Sequence, residues 1–204
     1  MHAKTLVASL LLAVSALAAP TEFETRQSCS KSQLIFLAGT NEEGLGLAGD
    51  PLSKGLGSGF TTYSVPYDTQ AEYSTTITAG AKLVVNYITA QAARCPNQVF
   101  ALGGYSKGAM VVHSTTLSAA LKAKVKAIVV FGDPYRGSSN AWPINSPVVD
   151  SAPRDGSTAS QNVASFCNSG DLFCAGGSSI PAHLAYGTDG STGVAATFIK
   201  NKVA

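Results

Sequence analysis

Short apolar segments along the chain alternate with longer segments of helical spacing. Five short segments rich in apolar, β-branched or aromatic residues predict strands, and they lie at 33–38, 60–66, 99–105, 127–131 and 162–166. Apolar residues at helical spacing predict helices, which lie at 76–93, 109–123 and 195–203. The glycine-rich stretch 44–59 is too polar for a strand, and we assign it no element. The alternation predicts one α/β domain with a mainly parallel, five-stranded sheet covered by helices on both faces.

The first eighteen residues have the composition of a targeting segment. Lys4 precedes an apolar run that ends in the small-residue pattern Ala-Leu-Ala at 16–18. The run is shorter than the ~20 apolar residues that a membrane-spanning helix needs. We therefore predict a secretory signal peptide at 1–18, a short pro-segment at 19–26 and a single domain at 27–204. The mature protein is expected to be extracellular, monomeric and without stable membrane insertion.

The composition of the chain limits the classes of function. Of the 204 residues, 45% are hydrophobic and 13% are charged, and the formal net charge is +2. A disordered chain has lower hydrophobicity and higher charge. A nucleic-acid-binding protein needs a basic face, which 14 scattered Lys and Arg residues do not build. A compact, nearly neutral globular protein remains.

The four cysteines suggest two disulfides in a secreted chain, and three pairings are open. The seven-residue step from Cys167 to Cys174 favours a local bridge, which leaves Cys29 to pair with Cys95. A zinc site is the competing interpretation, but the sequence has neither of the usual C-x-x-C and H-x-x-x-H ligand spacings.

The segment 102–109 carries the most informative chemical signal. It contains G-x-S-x-G, with Ser106 between Gly104 and Gly108, after a predicted strand and before a predicted helix. In that context the serine lies on a sharp turn that exposes its hydroxyl, and side chains two residues away on either side would clash. The next amide and the helix N-terminus are then placed to stabilise an oxyanion. Ser106 is therefore the candidate nucleophile, and an ordinary glycine-rich turn is the alternative.

A serine nucleophile needs a base and an acid, and the candidates are few. Of the three histidines, His2 leaves with the signal peptide and His113 lies two turns along the predicted helix, so His183 remains. The acid is expected between nucleophile and base in the chain. Asp133 follows the fourth strand and Asp171 follows the fifth. In this type of fold the acid usually comes two strands after the nucleophile, which favours Asp171, and a bridge from Cys167 to Cys174 would fix its loop. The Asp-Pro sequence at 133–134 is typical of a turn.

These segments together resemble the fungal cutinases. Four of them match the family's pattern in order and in approximate spacing: 35–42, 104–108, 167–174 and 183–187. The likeness spans about 29–203, nearly the whole mature chain. It implies a small α/β-hydrolase without a lid domain, the two disulfides paired as above, and a catalytic triad of Ser106, Asp171 and His183.

The resemblance also implies an oxyanion hole formed by the backbone amides of Thr40 and Lys107. Thr40 stands where the family often has serine, and Lys107 stands where glutamine is usual. The amide donor survives any side chain at that position. The Lys107 ammonium either lies beside the nucleophile, where it would favour anionic substrates or alter the pH profile, or points to solvent. The segment 44–73 departs from the best-known members, so its part in the substrate groove is not predicted.

Apolar residues near the predicted base offer a surface for an aliphatic acyl chain. The groove candidates are Leu172, Ile180 and Leu184, with ordinary loop packing as the alternative. The predicted function is a secreted serine esterase that acts through an acyl-enzyme without a metal or organic cofactor. The resemblance implies cutin-type polyesters and short-to-medium acyl esters as substrates. Since the base must be neutral, the rate is expected to fall on acidification.

Two other functions remain open at this point. An acetylxylan esterase would use the same triad on an acetylated polysaccharide. A secreted binding or effector protein would keep the scaffold without catalysis, although the intact Ser, Asp and His set argues against it.

Overall fold

A computed structural model describes residues 29–145 and 160–204, together with the backbone of the strand Val149–Asp150. The predicted signal peptide and pro-segment lie outside the described residues. In the part of the chain that is described, no helix has both the length and the apolarity of a membrane span.

Parallel strands form one central sheet in the order β2-β1-β3-β4-β6-β5. The strands are β1 Ser32–Leu37, β2 Phe60–Ser64, β3 Val99–Tyr105, β4 Val125–Phe131, β5 Val149–Asp150 and β6 Val163–Phe166. The five predicted strands are all present, which confirms the parallel sheet. The two-residue strand β5 adds an edge that the sequence pattern did not indicate.

Helices cover both faces of this sheet, as predicted. They are α1 Gly46–Leu56, α2 Ser74–Arg94, α3 Lys107–Ser114, α4 Ala119–Lys122, α5 Ile180–Leu184 and α6 Ser191–Val203. Side chains alternate along each strand. Ile35 and Leu37 therefore pack towards α2 and α3, whereas Leu34 and Phe36 pack towards α1 and α6.

The glycine-rich stretch 44–59 contains a helix that we did not predict. Helix α1 has three internal or terminal glycines and Pro51, so its intrinsic helix propensity is low. Ala48, Leu52 and Leu56 nevertheless follow each other at four-residue steps and are buried in the core. Gly49 allows close approach, because a Cβ there would lie 2.5 Å from the Phe36 ring. Tertiary packing therefore outweighs the local composition.

The predicted helix 109–123 is two helices. Helix α3 ends at Ser114, because Thr115 is extended with ψ 117°. The shorter helix α4 starts after Ser118, whose side chain accepts a hydrogen bond from the Leu121 amide and caps the new N-terminus. Helix α5 is a further addition, a single turn within the loop in which we placed His183.

Two disulfides are present. Cys29–Cys95 joins the segment before β1 to the end of α2 across 66 residues, and Cys167–Cys174 closes a step of 7 residues. On the chain-entropy model the long bridge contributes about 4.4 kcal/mol and the short one about 2.5 kcal/mol. The short bridge encloses Asp171, so its main effect is to restrict the loop that carries this carboxylate.

Candidate active site

Ser106 lies on a strained turn between β3 and α3. Its φ of 51° and ψ of −116° fall in a region that non-glycine residues rarely adopt. The glycines on either side are required for close packing. A Cβ at Gly104 would lie 2.6 Å from the carbonyl of Gly108, and a Cβ at Gly108 would lie 2.1 Å from the carbonyl oxygen of Leu37. The G-x-S-x-G pattern therefore encodes a turn with no room for larger residues.

The structure brings the three predicted triad residues together. The Ser106 Oγ lies 3.0 Å from Nε2 of His183. Nδ1 of the same imidazole lies 2.8 Å from Oδ2 of Asp171. His183 and Asp171 are buried, whereas Ser106 is partly exposed. A hydroxyl that faces solvent is thus linked through an imidazole to a buried carboxylate.

The carboxylate of Asp171 has donors on both oxygens. Oδ1 accepts the amides of Phe173 at 2.7 Å and Cys174 at 3.2 Å, and Oδ2 accepts the Tyr186 hydroxyl at 2.6 Å besides His183. Burial acts to raise the pKa of this carboxyl. The hydrogen bonds from Tyr186, His183 and the two amides outweigh burial and hold the pKa below its usual range. Asp171 therefore stays ionised beside the imidazole.

Two tyrosines support the imidazole, and we predicted a role for neither from the sequence. Tyr186 is fully buried and donates to Asp171, and Tyr105 donates to the backbone oxygen of His183 at 3.0 Å. Burial raises the pKa of both hydroxyls, so they remain protonated donors. Gly132 leaves the space that the ring occupies, since a Cβ there would lie 2.6 Å from Cε1 of His183. The signal for Tyr186 was its place in the segment 183–187.

The two predicted oxyanion-hole residues follow neighbouring strands. Thr40 comes just after β1, Lys107 is the first residue of α3, and β1 pairs with β3 as far as Leu37 and Gly104. First-turn amides have no acceptor inside their own helix, so the Lys107 amide is directed out of the helix N-terminus. Near Thr40 the chain is fixed by the Glu42 carboxylate, which accepts the Gly39 amide at 2.6 Å.

The side chain of Lys107 takes neither of the directions considered from the sequence. It is fully buried, so the interpretation that it points to solvent is wrong. Its ammonium does not lie free beside the nucleophile, because Nζ donates to the backbone oxygens of Asp68, Gln70 and Glu72. Burial lowers the pKa of this amine, while the charges of Asp68 and Glu72 oppose the shift.

The predicted groove residues form an exposed apolar rim near the imidazole. Leu172, Ile180 and Leu184 are 40%, 43% and 54% exposed. Phe173 is exposed as well, and its ring centroid lies 4.4 Å from that of His183. Exposed large apolar side chains that cluster around a site are typical of a surface that receives apolar ligands.

The rejected candidates His113 and Asp133 form a separate buried pair. His113 Nε2 lies 2.9 Å from Asp133 Oδ2, and Nδ1 lies 3.1 Å from the backbone oxygen of Ala141. The other carboxylate oxygen caps the Tyr135 amide at 2.8 Å. This pair joins α3 to the segment after β4 within the core.

Comparison with known proteins gives the family. The family model described as Cutinase matches residues 28–203. A cutinase of Monilinia fructicola is 36% identical over 97% of this chain and 96% of its own length. The carboxylesterase Culp1 of Mycobacterium tuberculosis is 33% identical over 86% of this chain and 82% of its own length.

Solved structures show the same fold. A Trichoderma reesei cutinase in complex with a phosphonate inhibitor has a TM-score of 0.68 and 31% identity, over 86% of this chain and 78% of that one. The catalytic core domain of an acetylxylan esterase from Trichoderma reesei has a TM-score of 0.69 and 19% identity, over 86% of this chain and all of that one. At that identity the second likeness concerns the fold alone.

The fold and these relatives define a carboxylic ester hydrolase with the α/β-hydrolase architecture. Within that class, the chain belongs to the cutinase family.

Proposed function

We propose that this serine esterase acts through Ser106 as nucleophile, His183 as general base and Asp171 as the acid that orients the base. The observation that most supports the assignment is the pair of contacts on one imidazole, 3.0 Å to the serine oxygen and 2.8 Å to the carboxylate. Those distances are within the reach that proton transfer needs. The ionised Asp171 fixes the tautomer that leaves Nε2 free to accept the serine proton.

The reaction proceeds in two half-reactions. Ser106 Oγ attacks the ester carbonyl while His183 takes its proton, and the amides of Thr40 and Lys107 donate to the developing oxyanion. His183 then gives the proton to the departing alcohol, which leaves an acyl-enzyme on Ser106. Water attacks the acyl carbonyl with His183 again as base, and the proton returns to the serine oxygen.

The proposed substrates are cutin-type aliphatic polyesters and short-to-medium acyl esters. The name cutinase of the relatives supports this class. The exposed rim of Leu172, Ile180 and Leu184 supports it independently, because it offers an acyl chain an apolar surface next to the base. An acetyl group does not need such a surface.

We also propose that the protein is secreted as a monomer after loss of a signal peptide at 1–18 and a pro-segment at 19–26, and that 27–204 is a single domain. Two disulfides and the fungal cutinase relatives support an oxidising compartment. Amino-terminal sequencing of protein secreted by a fungal host tests the cleavage sites.

The substrate proposal is tested by initial rates on esters with acyl chains of two to sixteen carbons, on polyester film and on acetylated xylan. We expect higher activity on short-to-medium chains and on the film than on xylan, and at least a 10³-fold loss in Ser106→Ala. Preference for acetylated xylan would make the protein an acetylxylan esterase. Wild-type rates in Ser106→Ala would contradict the nucleophile assignment.

A further inference from the structure

The ammonium of Lys107 is held inside the protein by three backbone carbonyls. Nζ donates to the oxygen of Asp68 at 2.9 Å, of Gln70 at 2.5 Å and of Glu72 at 2.9 Å. The rings of Tyr67 and Tyr73 lie 5.6 Å and 5.2 Å from it. Three acceptors match the three N–H donors of a protonated amine. A buried charge is tolerated only when it is satisfied in this way.

The segment that the ammonium holds is bound in turn to the loop that carries Thr40. The Tyr67 hydroxyl donates to the Ala38 oxygen at 2.5 Å, and the Asn41 amide donates to the Thr69 oxygen at 2.9 Å. The Tyr73 hydroxyl shares a hydrogen bond of 3.0 Å with Thr40 Oγ1. Three residues of the segment 67–73 (Tyr67, Thr69 and Tyr73) thus contact the loop 38–42.

We propose that Lys107 is a positioning residue, whose side chain fixes the Thr40 arm of the oxyanion hole through the segment 67–73 while its own amide forms the other arm. The inference rests on the proposed function, since it needs Thr40 and Lys107 as the oxyanion donors. One residue then supports both donors, because its backbone amide is one of them and its side chain holds the segment that contacts the loop of the other.

The geometry excludes a direct electrostatic role of the ammonium on the substrate. All three donors of Nζ are used by carbonyls, and the side chain is fully buried. Lys107 therefore gives no preference for anionic esters. Its removal acts on the transition state, because a displaced donor loses contact with the oxyanion but hardly affects binding of the neutral ester.

The test is Lys107→Met, which keeps the apolar stem and the backbone amide but removes the three donors. The matched control is Lys82→Met, because Lys82 is an exposed lysine on α2. Rates are divided by the concentration of active sites, measured by titration with a serine-reactive phosphonate. We expect kcat on a butyrate ester to fall about 10- to 100-fold with KM within twofold, less than the 10²–10³ of losing a whole oxyanion donor. The control should keep the wild-type kcat.

Three results would overturn the inference: an unchanged kcat per active site, a change confined to KM, or a loss limited to an ester with a carboxylate in its acyl chain. The last result would mean that the ammonium faces the substrate. Ser106→Ala, measured in parallel, separates this failure from failure of the proposed function. If Ser106→Ala is inactive and Lys107→Met is fully active, only the positioning role of Lys107 is wrong. If Ser106→Ala is active, the assignment of the triad is wrong.

If Lys107→Met does not fold, Tyr73→Phe decides the question. Tyr73 is 40% exposed, so loss of its hydroxyl leaves the core intact, but it breaks the hydrogen bond to Thr40. A two- to tenfold lower kcat at unchanged KM and unchanged melting temperature supports the inference. A wild-type kcat in this variant overturns it.

Discussion

Four hydrogen bonds reach the carboxylate of Asp171, two on each oxygen. His183 Nδ1 and the Tyr186 hydroxyl both lie against Oδ2, at 2.8 Å and 2.6 Å. The tyrosine hydroxyl and the imidazole N–H therefore donate to the same carboxylate oxygen. Because the hydroxyl is fully buried and held by the Asn168 amide at 3.0 Å, its direction is fixed.

Tyr186→Phe tests this support. Loss of the hydroxyl raises the pKa of the Asp171 carboxyl towards its ordinary value, since the Tyr186 hydrogen bond acts to lower it. Because only the ionised carboxylate orients the base, protonation of Asp171 should add to the loss of activity at a higher, still strongly acidic, pH in the variant than in wild type. We expect kcat/KM at neutral pH to fall roughly three- to tenfold, as one charge-assisted hydrogen bond is lost.

The comparison uses pH–rate profiles of Tyr186→Phe and of Tyr63→Phe. Tyr63 lies in β2 and stacks on Tyr87, so it is a tyrosine of the same type away from the triad. A profile of Tyr186→Phe that coincides with that of the control would show that the hydroxyl has no part in holding the carboxylate.

Among the elements, α2 begins at a carboxylate that caps its first turn. The side chain of Glu72 accepts the amides of Ser74, Thr75 and Thr76 as well as the hydroxyls of Ser74 and Thr75. The hydrogen bonds of the Ser74 and Thr75 side chains lower the pKa of Glu72 from 4.5 to about 2. An anion at a helix N-terminus is favourable because the unpaired amides there carry partial positive charge.

Glu72→Ala should lower the melting temperature by a few degrees at pH 7, as loss of a helix cap does. Because folding lowers the pKa of Glu72, its contribution is complete above pH 4.5 and is lost as the pH falls towards about 2. The difference in melting temperature between wild type and variant should therefore become smaller as the pH falls from 4.5 towards about 2. Thermal unfolding across the range, with the exposed Glu43→Ala as control, checks it. A difference in melting temperature that does not change with pH would contradict the capping role.

The elements also show where local pattern is insufficient. Most of the strands were predictable because buried parallel strands are short apolar runs, and β2 was predictable because it is rich in aromatic and β-branched residues. Helix α1 was missed, because its glycines and Pro51 give it a low helix propensity. Its three core residues stabilise the helix only when they pack against the sheet. The break at Thr115 was missed too, because the apolar pattern continues through it.

At the scale of the whole molecule, residues 106, 171 and 183 were predictable as candidates because chemistry leaves few choices for each. The sequence has one G-x-S-x-G pattern, three histidines and one aspartate between Cys167 and Cys174. The direction of the Lys107 side chain was not predictable. It depends on three carbonyls of a segment more than thirty residues earlier in the chain, and only the folded chain shows which backbone groups lie within its reach.

The proposed mechanism depends on Ser106 being the group that forms the acyl-enzyme. The direct measurement is inactivation by a serine-reactive phosphonate, followed by mass spectrometry of peptides from the intact, disulfide-bonded protein. We expect one adduct per chain, located on Ser106, that increases in parallel with the loss of esterase activity. Full inactivation with Ser106 unmodified, or full activity with Ser106 carrying the phosphonate, would contradict it.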